Sequence, residues 1–161
     1  MRRKNTKIIM GYYGGIQDMI RLLKNERADL ENQHYNTLGA VAADGLPNSG
    51  TPGKPVESMA IDAAEKGVWE RLQEIEVRLQ VLEADAAVIR DSLDSLGGRY
   101  KRVLSMRYIH RYSWGKIAVR LETPDSTVRN WHTRALDAMG MTLAEAPMID
   151  EILDRASRAR V

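Results

Sequence analysis

Apolar positions along this chain fall into stretches of helical spacing, divided by polar or glycine-rich breaks. Over residues 15–36, Ile16, Ile20, Leu23 and Leu30 mark one side of a helix, with Arg27 and His34 continuing the row. Residues 58–97 are more regular. Val68, Leu72, Ile75, Leu79, Leu82, Ala86, Ile89, Leu93 and Leu96 stand alternately four and three apart, which is the heptad seam of a coiled coil. Residues 98–140 then break into three shorter helices. Tyr100, Val103, Leu104 and Tyr108 share a side of the first, over about 98–110. Trp114, Ile117, Ala118 and Leu121 share a side of the second, 114–121, and Val128, Trp131, Ala135, Leu136 and Met139 of the third, 124–139. A last helix is predicted within 142–159, where Leu143, Met148, Ile149, Ile152 and Leu153 are available for packing.

The breaks carry their own signals. Residues 38–57 are dense in Gly and Pro and predict a long loop. Gly97-Gly98 makes a joint after the heptad helix. Ser113 offers a hydroxyl N-cap to the second short helix. Thr123 is expected to cap the third, with Pro124 at its first helical position and Asp125 suiting the positive end of its dipole. At the other end, Arg2, Arg3, Lys4 and Lys7 could form a mobile basic arm, with an ordinary disordered terminus the favoured reading. The GYYGG of residues 11–15 reads as a flexible lead-in, since a phosphate loop would need a following Lys-Ser/Thr. The predicted division is 1–37 (arm and helix), 38–57 (loop), 58–97 (heptad helix), 98–140 (three-helix unit) and 141–161 (last helix).

Charge sharpens this picture. Residues 98–140 carry nine cations (Arg99, Lys101, Arg102, Arg107, Arg111, Lys116, Arg120, Arg129, Arg134) against Glu122, Asp125 and Asp137, in a chain whose net charge is only +2. A patch of that kind attracts phosphates through counterion release, and His110 and His132 would add to it when protonated. The polar side of the third short helix presents Ser126, Arg129, Asn130, Thr133, Arg134 and Asp137. Arg pairs with guanine acceptors, Asn with adenine, and Ser or Thr with several partners. The expected base contacts are therefore Ser126, Arg129, Asn130 and Thr133, and the expected phosphate contacts Arg102, Arg107, Lys116, Arg120 and Arg134 on double-stranded DNA.

The heptad helix is acidic instead, with eight carboxylates against four cations over 65–96. Its flanking positions place Arg71, Arg78 and Asp85 opposite Glu76, Glu83 and Arg90 of a parallel copy, all pairs of opposite sign. This favours self-association, a dimer first, through Val68, Leu72, Ile75, Leu79, Leu82, Ile89 and Leu93. The alternative use of the seam is packing on the N-terminal helix of the same chain. Asp150, Glu151 and Asp154 read as a solvated acidic face.

No enzyme constellation is found: no nucleophile motif, no zinc spacing, no Walker sequence. No metal or other cofactor is implied. The chain has no cysteine, which fits a reducing cytoplasm. No apolar run approaches the roughly 20 residues a membrane span needs.

Residues 100–136 resemble region 4 of sigma-70-type sigma factors. Arg107-Tyr108, Ser113, Ile117-Ala118, Leu121 and Thr127-Val128 stand where that region typically has an Arg-Tyr pair, a serine before the second helix, Ile-Ala, a leucine, and Thr-Val opening the recognition helix. Glu122 stands where a turn glycine is common, and Pro124 where a serine often caps. The whole chain looks like phage late-gene transcriptional regulators of the RinA/ArpU type, which pair an N-terminal helical part with a region 4-like domain. The expected fold is all-α: long helices, as a hairpin or coiled coil, followed by a C-terminal region 4-like helix-turn-helix. The expected function is a sequence-specific DNA-binding transcriptional regulator, and the resemblance implies association with host RNA polymerase in the bacterial cytoplasm. The alternative is a small terminase-like packaging adaptor, which also joins a helix-turn-helix to an oligomerising helix.

Overall fold

A computed structural model describes residues 1–42 and 55–159, with side chains described for 1–36 and 62–159. Among these residues all regular structure is helical, as expected. The helices are α1 (Arg3–Ala42), α2 (Pro55–Asp94), α3 (Gly98–Leu104), α4 (Trp114–Arg120), α5 (Asp125–Ala144) and α6 (Ile149–Arg158), and a π turn (Ser105–Ile109) prolongs α3. None of them is long and apolar enough to cross a membrane. Of the stretch expected as a loop, 38–57, both ends are helical instead, since α1 runs to Ala42 and α2 opens at Pro55. Its centre lies outside the described residues.

The chain forms two compact units. One comprises residues 20–81. Within it Ile20 and Leu23 of α1, and Ile75 and Leu79 of α2, are buried. Arg71 donates to Glu26 at 2.7 and 3.1 Å, and Arg27 to Glu76 at 3.1 Å. The Arg71 guanidinium holds the Glu26 carboxyl below its ordinary pKa. Arg71 and Glu76, two of the charges expected to reach a second copy, are thus paired within the chain.

The other unit holds residues 1–19 and those from 82 onward. Here Leu82, Ala86, Ile89 and Leu93 continue the buried seam. The expectation that Ile75, Leu79, Leu82, Ile89 and Leu93 pair two copies is corrected accordingly: the chain's own atoms cover them. Val68 and Leu72 remain half-buried. Asp85, expected at an exposed flanking position, is 3% exposed. It accepts hydrogen bonds from Arg155 Nε at 2.8 Å and Nη2 at 2.7 Å, and from the Tyr12 hydroxyl at 2.9 Å. One buried carboxylate so ties α1, α2 and α6 together.

The expected basic arm is also corrected, because α1 is helical from Arg3. Ile9, Met10 and Ile16 are fully buried, with Tyr12 and Tyr13 nearly so. Of the glycines read as a flexible lead-in, Gly14 serves close packing instead, whereas Gly11 and Gly15 border open space. A Cβ added at Gly14 would run into the carbonyl oxygen of Tyr108 and stand 3.1 Å from its carbonyl carbon. Arg111, at φ 54°, donates to the Gly14 carbonyl at 3.1 Å and to Asp18 at 3.3 Å. Two turns earlier on α1, a Cβ at Gly140 of α5 would come within 2.8 Å of Thr6 Oγ1. The third short helix accordingly runs five residues past its expected end at Met139, to Ala144, still burying Leu143.

Candidate nucleic-acid interface

Two helices and the turn between them build the site. Ser113 caps α4, its Oγ accepting from the Lys116 amide at 3.3 Å, as its position predicts. Ile117 is fully buried. The helix then closes in a Schellman motif: the Glu122 amide donates to Val119 at 3.2 Å and the Thr123 amide to Ala118 at 3.0 Å. Such a turn needs a left-handed residue, and Glu122 takes that conformation at φ 49° without being glycine. The start of α5 differs from expectation. Pro124, not Thr123, is the capping residue, and its carbonyl accepts the Val128 amide at 3.1 Å. The Thr123 hydroxyl turns back to the Leu121 carbonyl at 2.8 Å. Asp125 then falls in the first turn of α5, where the helix dipole favours a carboxylate.

The inner side of α5 is fixed by packing. Val128, Ala135, Leu136, Met139 and Leu143 are fully buried, whereas Trp131 is only half-buried beneath the Arg99 guanidinium at 4.5 Å. On the outer side Ser126, Arg129, Asn130 and Arg134 are exposed and Thr133 is half-buried. The Thr133 hydroxyl donates to the Arg129 carbonyl at 3.1 Å, leaving its oxygen as an acceptor. Asp137 is taken by Arg3, which reaches it through two donors at 2.8 and 2.7 Å. That bidentate contact holds the Asp137 carboxyl below its ordinary range.

The cations sort into groups. Arg102, Lys116 and Arg120 are exposed. Lys116 Nζ lies 3.9 Å and the Arg120 guanidinium 4.8 Å from the Tyr112 ring centre, so one aromatic ring steadies both. Arg107 is half-buried instead. It donates to the Tyr112 carbonyl at 3.0 Å and lies 4.5 Å over Trp114, which braces the approach to α4. Lys101 pairs with Asp94 at 2.8 Å and Arg111 with Asp18. The free positive surface is therefore narrower than the count of nine suggests.

His132 does not join it. It is 8% exposed on the inner side of α5, 3.2 Å from the Tyr108 hydroxyl and edge-on to Trp114 at 4.8 Å between ring centres. Burial, with Lys7 and Arg107 nearby, pushes its pKa down to about 4, so it is neutral at pH 7. This corrects the expectation that His132 contributes positive charge.

Sequence reasoning missed Tyr112, Trp114 and Asp125 as supports for the cations. The i, i+4 spacings Asp125–Arg129 and Tyr112–Lys116 were the available signals. Among the described residues no cluster of three or more His, Asp or Glu is placed to hold a metal ion.

Residues 86–139 match the family model "Sigma-70, region 4". The match begins within α2 and crosses Gly97-Gly98, so it takes in the end of the heptad helix. No curated protein and no solved structure matches the chain.

Proposed function

With a Sigma-70 region 4 domain on residues 86–139, we propose that this chain is a sequence-specific DNA-binding transcriptional regulator and not an enzyme. In its full form the reading is a phage late-gene activator that acts with host RNA polymerase. The observation that carries it is the two-sidedness of α5. Val128, Ala135, Leu136 and Met139 lock one side into the fold, and Ser126, Arg129, Asn130 and Thr133 stand on the other after a tight turn. That is the presentation a helix needs to enter a major groove. Arg129, Asn130, Ser126 and Thr133 read base edges, while Arg102, Lys116, Arg120 and Arg134 hold phosphates. Arg107, drawn in over Trp114, braces the domain and lies at the margin of the phosphate set.

The packaging-adaptor reading drew on a seam free to oligomerise. Burial of Ile75, Leu79, Leu82 and Ile89 within one chain favours the regulator over it.

Selection of bound duplexes from a random pool, followed by salt titration of affinity, tests the proposal. A short consensus is expected, and Lys116→Ala should flatten the log K against log salt slope by about one unit on every duplex alike. A chain that enriches no sequence and binds all duplexes equally at low salt is not a sequence-specific regulator.

A further inference from the structure

We propose that Asp125 and Trp114 are positioning residues that fix Arg129 to read a guanine at one position of the bound site, an inference that rests on the DNA-reading role of α5. Arg129 is 57% exposed, and a side chain of that length has many rotamers in water. Here it is held twice. Its Nε donates to Asp125 Oδ2 at 2.6 Å, across one turn of α5. Its guanidinium carbon lies 5.2 Å from the centre of the Trp114 ring, which Arg107 also covers at 4.5 Å.

The hold selects which edge of the guanidinium remains. With Nε engaged, the Nη1 and Nη2 edge is left to present two parallel N–H donors. That fork matches the O6 and N7 acceptors of guanine in the major groove, and no other base offers two acceptors there. The helix dipole favours Asp125 at the start of α5, yet on a DNA-facing surface its charge carries a cost. A carboxylate beside incoming phosphates repels them, so its presence calls for a compensating role. Holding Arg129 supplies one.

The two roles of Asp125 separate in one experiment. Wild type, Asp125→Ala and Arg129→Lys are each taken through duplex selection, and their affinities are then measured for the selected site and its single-base variants. Circular dichroism confirms that each chain is folded. Asp125→Ala should bind random duplex as well as wild type or better, since a negative charge is gone. Its preference for guanine at one position should drop about tenfold, within the range a bidentate pair supplies. Arg129→Lys, which keeps the charge and loses the fork, should lose the same position. If Asp125→Ala raises affinity on all sequences alike and leaves every base preference intact, Asp125 acts only as a bulk charge and the inference falls alone. If wild type shows no base preference, the reading role of α5 falls with it.

Discussion

Lowering the pH should destabilise this domain through His132. The ring is buried between Tyr108 and Trp114, and its pKa is displaced from an ordinary 6.5 to about 4. The folded value lies below the unfolded one, so the unfolded chain takes up the extra proton first. Stability is therefore full above about pH 6.5 and falls as pH drops toward 4. A displacement of this size corresponds to about 3 kcal/mol in the low-pH limit, and to about 2 kcal/mol at pH 5. Either is a large part of the roughly 5–15 kcal/mol that holds a domain folded. Urea unfolding of wild type and His132→Gln at pH 7 and pH 5 measures the effect. Glutamine retains a polar partner for the Tyr108 hydroxyl and does not titrate. Wild type should lose about 2 kcal/mol more than the variant between the two pH values. Equal losses would show that the ring protonates as easily folded as unfolded, and that His132 is not sealed behind the reading helix.

Three further outcomes follow from the packing. Gly14→Ala should cost at least about 1–3 kcal/mol in urea unfolding, because its methyl group meets the Tyr108 backbone and no side chain can yield; an unchanged midpoint would mean that α1 does not pack there. Glu122→Gly should gain about 1 kcal/mol by relieving the left-handed turn after α4, and a loss of stability would contradict the Schellman geometry. Leu79→Ala should cost about 2–5 kcal/mol with an unfolding midpoint independent of protein concentration, since the seam is buried within one chain; a midpoint that rises with concentration would restore the seam to an interface between copies.

Much of the DNA-facing domain was legible in the sequence because its signals are local. The period of Trp114–Leu121 and Val128–Met139, the cap at Ser113 and the stop at Pro124 all act within a few residues. Even there the register of the cap slipped by one, since Thr123 found a competing acceptor in Leu121. What stayed hidden depends on distant partners. A heptad seam states that an apolar surface must be covered, and is silent on whose atoms cover it. Asp85 looked like a solvent-facing charge because Arg155, its partner, lies 70 residues away. The glycines at 11–15 suggested flexibility, whereas Gly14 is small because Tyr108 passes over it. The π turn at Ser105–Ile109 shifts the phase of the residues around Tyr108 and has no signature in apolar spacing.

In the proposed complex α5 lies in the major groove with Arg129 against a guanine. Methylation interference on a selected duplex tests it most directly, because guanine N7 faces that groove and N7 methylation blocks an acceptor. At least one guanine is expected whose N7 methylation abolishes binding by wild type and is tolerated by Arg129→Ala. Binding that ignores every N7 methyl group while remaining sensitive to minor-groove modification would contradict it.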